Sequence, residues 1–148
     1  MLDNKTAFTK KKAVKIVVSV AVVLVLLVLL RYLFPVGSIN LSTSEGRESF
    51  LLKLGWEVDM QSETYRSVVV PSTLEGTLKD YNEMQLAQGY DLNKHLGEKC
   101  EQYTYVVTNY PNYDKTVFVT IYVQGRDIVA GDIHTAAADG FMHGLKLE

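Results

Sequence analysis

The longest apolar run in the chain lies close to its beginning. The fifteen residues from Ile16 to Leu30 contain no charged side chain and only one polar residue. As a helix this run is roughly 22 Å long, shorter than the roughly 30 Å hydrocarbon core of a bilayer. Lys15 and Arg31 can extend their charged ends towards the headgroups, and further apolar residues flank the run. The pattern therefore predicts a transmembrane helix over residues 13–34.

Two capping boxes predict two helices in the rest of the chain. In the first box Ser42 is the predicted N-cap and Glu45 its reciprocal partner, and Gly55 ends the helix. The second box spans residues 72–75, and its helix is predicted to continue to about Gln88.

Five segments between and after these helices have the composition or the alternation of β-strands. In the clearest of them, β-branched residues alternate with aromatic ones, so the two kinds should face opposite sides of a sheet. The β-branched residues are Val117, Val119, Ile121 and Val123, and the aromatic ones are Phe118 and Tyr122. The other predicted strands cover residues 56–58, 65–70, 101–110 and 127–133.

This succession of elements predicts the α+β fold class. We expect an N-terminal transmembrane helix followed by a small antiparallel sheet of about five strands, with two helices packed on one face of it. The predicted organisation is a cytoplasmic basic tip at 1–12, the transmembrane helix at 13–34, a polar spacer at 35–44 and an extracytoplasmic α+β domain at 45–148.

The charges divide the chain into a basic tip and an acidic body. Five lysines precede residue 16 against the single acid Asp3, whereas from residue 32 onward nine Lys/Arg oppose sixteen Asp/Glu. Lysines before an apolar span predict an N-terminus in the cytoplasm and a body outside the plasma membrane. The acidic body should repel nucleic acid, because binding it requires neutralisation of phosphates. A cleaved signal peptide is the alternative to an anchor, but residues 36–38 are a poor exit site.

Three stretches of the outer domain resemble a known family. They are "YNEMQLAQGYDL", "YTYVVTNYP" and "GFMHG", and together with their surroundings they resemble domain of unknown function 4830 over roughly residues 45–145. That family consists of small membrane-attached proteins of spore-forming, Gram-positive-type bacteria, and it has no established activity. The resemblance implies one outer domain behind one anchor, and it supplies no catalytic residue.

Near the C-terminus, "GDIHTAAADGFMHG" concentrates groups that could bind a metal. On a strand, Asp132 and His134 should point to the same face, and His143 or Asp139 could supply a third ligand after the chain turns back. The stretch contains none of the standard zinc or calcium motifs. The alternative is that Asp132 and His134 form the solvent-facing side of the strand, so no metal and no cofactor is assigned.

Cys100 is the only cysteine, so no intramolecular disulfide can form. It lies in the strand-like stretch "GEKCEQYTYVV", where a thiol usually packs as a small hydrophobic group. The alternative is a reactive thiol, with His134 as its base. Because the surroundings of Cys100 match no cysteine-protease pattern, no catalytic residue is assigned.

The stretch "YNEMQLAQGYD" groups tyrosines and side-chain amides at the end of the second predicted helix. Such side chains combine rigid contact area with hydrogen bonds and suit recognition of a peptide or a sugar. The predicted binding surface consists of Tyr81, Asn82, Gln85, Gln88 and Tyr90. The alternative is that Tyr81 packs on the sheet and the amides hold the loop that follows.

These observations predict a single-pass membrane protein whose outer domain is a non-enzymatic binding module of the cell envelope. Its partner would be a protein, a peptide or a cell-wall component. The alternative is a small metal- or cysteine-dependent envelope hydrolase that uses Asp132, His134, His143 or Cys100. A third hypothesis is a structural subunit that stabilises a larger membrane complex.

Overall fold

The structure is a computed structural model that describes residues 16–26, 29, 39–137 and 139–146. Residues 16–26 and residue 29 are helical and exposed. None of the described helices is long and apolar enough to cross a membrane. The predicted tip at 1–12 lies outside the described residues, as do residues 13–15, 27–28 and 30–34 of the predicted transmembrane helix and residues 35–38 of the spacer.

The chain divides into two units at residue 38, and the second unit contains the α+β fold. It begins at Ile39, earlier than the predicted domain start at residue 45. Leu41 explains the difference, because its side chain is buried in the main core and its N–H donates to the carbonyl of Arg126 at 3.2 Å.

The fold is a five-stranded antiparallel meander in which each strand pairs with the next, so the predicted α+β class is confirmed. Two α-helices and a short 3-10 helix accompany the strands. In chain order the elements are α1 (Ser44–Lys53), β1 (Val58–Val69), α2 (Thr77–Ala87), the 3-10 helix (Leu92–His95), β2 (Lys99–Val107), β3 (Val117–Gln124), β4 (Asp127–Thr135) and β5 (Met142–His143).

The predicted strands 56–58 and 65–70 both overlap one long strand, β1, the first only at Val58 and the second over residues 65–69. Its register against β2 shifts between Asp59 and Thr64, which is the mark of a bulge. Inside the bulge the Ser62 hydroxyl accepts a hydrogen bond from the N–H of Val106 at 2.8 Å, and this contact keeps the strand attached where the ladder is irregular. The fifth strand is β5, which the sequence pattern did not predict.

The two α-helices lie on opposite faces of the sheet, so the prediction of both on one face is wrong. Leu51 of α1 packs into the main core with Tyr105 and Ile121. Tyr81 of α2 packs on a smaller cluster of the other face, together with Cys100 and Ala130. The sheet has apolar residues to bury on both of its faces, and one helix covers part of each.

Both helices also begin later than the capping boxes predict. Thr43 caps α1 and accepts from the N–H of Gly46 at 3.1 Å, because Ser42 instead bonds the side chain of Asn40. The second helix has Gly76 at its N-cap position with a φ of 53°, and no side chain caps it. The ends of both helices, near Gly55 and Gln88, agree with the prediction.

A charged network attaches α1 to the sheet. The buried guanidinium of Arg47 donates to the Tyr105 hydroxyl at 2.6 Å and to Oε2 of Glu63 at 2.8 Å. It also lies 3.7 Å above the ring of Tyr103, a cation–π geometry. Burial by itself raises the pKa of Glu63, but the hydrogen bonds from Tyr105 and Arg47 outweigh it and lower that pKa. Glu63 is therefore ionised in the folded protein.

Aromatic side chains close one end of the main core. Trp56 is buried, stacks on Tyr110 with ring centroids 5.7 Å apart, and donates from Nε1 to the carbonyl of Leu145 at 2.5 Å. Phe141 stacks on both His143 and Tyr110, and the ring of His143 is tilted against that of Tyr110. This group holds the C-terminal segment, including β5, against the sheet.

Candidate functional site

The face of the sheet that carries α2 is only partly covered, and a groove of about 810 Å³ lies there. Alternate residues of the first four strands form its floor, because side chains two apart on a strand point to the same face. The floor residues are Thr64, Arg66 and Val68 from β1, Gln102 and Thr104 from β2, Phe118, Thr120 and Tyr122 from β3, and Asp132 and His134 from β4. Leu78, Tyr81 and Met84 of α2 form one wall.

Asp132 is the polar centre of this groove. Its side chain is buried, and its two carboxylate oxygens have different partners: the Tyr81 hydroxyl at 2.7 Å and Nδ1 of His134 at 2.8 Å. A carboxylate only accepts hydrogen bonds, so Nδ1 of His134 carries the hydrogen in this contact. Burial, followed by the charge of Asp132, raises the pKa of Tyr81, which therefore stays protonated and donates.

The rest of the groove is aromatic and apolar with a few fixed hydroxyls. The ring of His134 stacks on Phe118 at 5.6 Å, and burial raises the pKa of Tyr122 to about 12. The hydroxyls of Thr104 and Thr120 bond each other at 2.7 Å. Apolar walls with a small number of positioned polar groups are typical of ligand-binding clefts.

Of the predicted binding surface, only Tyr81 lines the groove. Asn82 is buried and accepts from the N–H of Leu92 at 2.7 Å. Gln85 is fully buried. Tyr90 packs against the main core of the opposite face. The five residues therefore do not form one surface, because helical neighbours diverge and the amides bond the backbone instead.

The two glutamines of that set replace a missing strand at the outer edge of β4. Gln85 donates to the carbonyl of Gly131 at 3.0 Å and accepts from its N–H at 2.9 Å. Gln88 donates to the same carbonyl at 3.1 Å and accepts from the N–H of Leu145 at 2.6 Å. Side-chain amides thus bond backbone groups that β5, which pairs only at residues 133 and 134, does not reach.

The predicted metal ligands are divided between two faces of the sheet. Asp132 and His134 are in contact, but Asp132 is buried under α2 and does not face solvent. His143 lies opposite Ile133 in the β4–β5 register, so it shares the other face with that core residue. There it contacts the Tyr110 hydroxyl at 3.0 Å, and Asp139 pairs with Lys115 at 2.9 Å. Across residues 39–137 and 139–146, no three such groups are close enough to hold a metal ion.

Cys100 lies far from His134 along the sheet. In register, His134 is beside Phe118 and Phe118 is beside Val106, which is six residues from Cys100. Six residues of extended chain span roughly 20 Å, so the two side chains cannot form a catalytic pair. Cys100 is also buried, and burial, with the charge of Glu101 as a further cause, raises the pKa of its thiol.

Several groove residues were not predicted as site residues. Phe118 and Tyr122 were predicted to share one face, and the alternation of β3 confirms it. Arg66, Gln102 and Thr120 could have been predicted as site residues from their placement on the same face of adjacent strands. That placement can be deduced only when the strand register is known.

Comparison with known proteins gives one match. The family model described as "Domain of unknown function (DUF4830)" matches residues 50–133, which is more than half of the chain. The matched range includes the groove-lining part of α2 and Asp132, and it ends one residue before His134. Neither a curated protein nor a solved structure matches the chain.

Proposed function

The chain belongs to the DUF4830 family, and on that premise we propose that it is a membrane-anchored binding module of the cell envelope. In this proposal residues 13–34 are a transmembrane anchor in the plasma membrane, the basic tip is cytoplasmic and the α+β domain is outside. The domain binds a protein, a peptide or a cell-wall component, and it does so without catalysis.

The observation that carries the binding proposal is the groove beside α2. Its volume of about 810 Å³ is within the range of ligand clefts. Asp132 fixes the positions of Tyr81 and His134 through two hydrogen bonds, so polar groups are already oriented among aromatic and apolar walls. Such an arrangement favours a ligand with both apolar and hydrogen-bonding parts, as a peptide has.

The placement of the candidate catalytic groups supports binding over hydrolysis. Of Cys100, Asp132, His134 and His143, only Asp132 and His134 meet, and a hydrolase would need a nucleophile or a metal beside them. In the described part of the groove floor, the hydroxyls belong to Tyr122 and to threonines. Two of these threonines, Thr104 and Thr120, bond each other through their hydroxyls.

A photo-crosslinking side chain in the groove should capture the ligand in intact cells. We expect benzoylphenylalanine in place of Phe118, which lines the groove, to give discrete adducts. The same group in place of Leu52, which is exposed on α1 at the other face, should not give them. Digestion of the adducts with a protease or a muramidase distinguishes a protein ligand from a wall glycan. Identical adducts from both positions would contradict a specific groove.

A second variant makes the crosslinking test specific for the polar centre. His134→Ala, combined with the probe at Phe118, should reduce the yield of adducts by roughly tenfold. Loss of one well-placed hydrogen-bonding group weakens the free energy of binding by about 1.5 kcal/mol. Lys53→Ala on α1 is the matched control and should leave them unchanged.

The proposed topology predicts which residues a membrane-impermeant maleimide reaches. Glu48→Cys on α1 should be labelled in intact cells, whereas Asn4→Cys should be labelled only after permeabilisation, because the lysines beside it favour the cytoplasm. The native thiol should contribute little background, since Cys100 is buried and its pKa is raised. The reverse labelling pattern would refute the topology, and a mature protein without residue 4 would identify a cleaved signal peptide.

A further inference from the structure

Strand β1 forms one edge of the sheet and has backbone groups that point away from it. Val70, directly after β1, donates to the carbonyl of Glu98 and accepts from Gly97, each at 2.9 Å, so its backbone points towards the β2 side. Because backbone direction alternates along a strand, Tyr65, Ser67 and Val69 point outward. Within the described part of the chain, β1 pairs only with β2, and no backbone hydrogen bond from a turn, loop or cap reaches the N–H or C=O groups of these three residues.

The side chains of the same three residues form a short exposed stripe on one face of the edge. Tyr65 is 56% exposed and Val69 is 61% exposed, and Ser67 lies between them. Exposed edge strands with large apolar side chains are templates for pairing with another strand.

We propose that β1 pairs antiparallel with β1 of a second copy of this chain, with Ser67 opposite Ser67 of the second copy. This register places Tyr65 opposite Val69 of the other copy on both sides of the two-fold axis. Each of the three outward pairs exchanges two hydrogen bonds, so every outward backbone group of these residues obtains a partner. Aromatic residues opposite β-branched ones are favourable cross-strand pairs.

Charge and proline chemistry select this register over its neighbours. A shift of two residues in one direction places Arg66 directly opposite Arg66 of the second copy, and like charges opposite each other destabilise a pair. A shift of two residues in the other direction places Tyr65 opposite Pro71, which has no N–H to donate. In the proposed register Arg66 lies opposite Val68.

The pairing is limited to a short segment. Pro71 ends the edge on one side, and the bulge between Asp59 and Thr64 ends it on the other. So short a contact buries much less than the roughly 1,600 Å² of a standard interface, and we expect a dimer that depends on concentration. The two-fold axis is perpendicular to the sheet, so the grooves of both copies open on the same side.

Oxidation of a cysteine on the two-fold axis tests the register directly. Opposed residues in a hydrogen-bonded pair have Cα atoms about 5.5 Å apart, within the span of a disulfide. In the purified full-length chain in mild detergent, Ser67→Cys should give a disulfide-linked dimer on mild oxidation. Arg66→Cys, one residue from the axis and on the other face, should give roughly tenfold less disulfide-linked dimer. The unmodified chain controls for Cys100.

Two further variants separate pairing from folding. The N–H of Ser67 points outward, so Ser67→Pro removes no internal hydrogen bond and is tolerated at an edge. Ser67→Pro should be monomeric by light scattering at concentrations where Ser67→Ala is dimeric, with equal circular dichroism. Equal association of the two variants would overturn the proposal. So would a Ser67→Cys thiol that reacts fully with maleimide but forms no dimer, or one that crosslinks in cells only to a different protein.

Discussion

Arg47→Met should lower the free energy of unfolding by about 3 kcal/mol, the lower end of the cost of breaking a buried ion pair. Methionine keeps the apolar stem, but it removes the hydrogen bonds to Tyr105 and Glu63 and the charge above the ring of Tyr103. The lower end applies because the side chain of Glu63 remains 29% exposed and water can hydrate it in part.

The measurement is urea unfolding of the full chain in mild detergent, followed by circular dichroism. A shifted midpoint with an unchanged slope identifies a change in stability. Glu48→Met, at the next and exposed position of α1, is the matched control and should change the midpoint little. Equal effects of the two substitutions would show that the network does not stabilise the domain.

Gln85→Met should destabilise the domain by about 2–4 kcal/mol, because it leaves the buried N–H and C=O of Gly131 with fewer partners. Methionine has a similar length and fills the same space, so the loss reports hydrogen bonding and not a cavity. Gln88 retains its bond to the carbonyl of Gly131, but no other described side chain reaches that N–H.

Amide hydrogen exchange at Gly131 gives a local test of this second prediction. The N–H of Gly131 should be protected in the native chain and exchange faster in Gln85→Met. Glu83→Met, on the exposed face of the same helix, is the control and should leave that protection intact. Unchanged exchange in Gln85→Met would mean that another group accepts the hydrogen bond from the N–H of Gly131.

Much of the sheet could be predicted because its central strands alternate regularly. The alternation of Val117, Val119 and Ile121 with Phe118 and Tyr122 decides which side chains enter the main core, and the observed burial follows it at these positions. Strand β1 could not be predicted as one element, because the polar run from Gln61 to Glu63 interrupts the alternation of apolar and polar residues. Its continuity depends on a bulge and on long-range contacts with β2.

Three residues of the site could be predicted as candidates, but their arrangement could not. Tyr81 was predicted to belong to a binding surface and Asp132 and His134 to be candidate metal ligands, yet their meeting depends on α2 crossing the face opposite α1. That crossing is fixed by contacts over about fifty residues, such as the hydrogen bonds from Tyr81 to Asp132 and from Gln85 to Gly131. No local pattern contains such information, which is why Asp132 was predicted to face solvent.

The lack of long-range information in a local pattern also explains why Gln85 and Gln88 were predicted to form part of a binding surface. A helix rich in amides suggests a recognition surface when its environment is unknown. Once β4 is left with an edge that β5 covers only in part, those amides become the nearest hydrogen-bonding groups for its backbone. The alternative interpretation, in which the amides hold the loop that follows α2, describes Asn82, which bonds Leu92, but not Gln85, which bonds Gly131 of β4.

The aromatic end of the core also gives the protein an intrinsic optical reporter. Trp56 is the only tryptophan of the chain, and it is buried between Tyr110 and the C-terminal segment, whose Leu145 carbonyl accepts its indole N–H. Its fluorescence therefore originates from one known place. Release of the last residues from the sheet would expose the indole to water and move its emission to longer wavelengths, even while the rest of the sheet stays intact. Emission from Trp56 thus distinguishes detachment of the C-terminal segment from unfolding of the whole domain, without any added label.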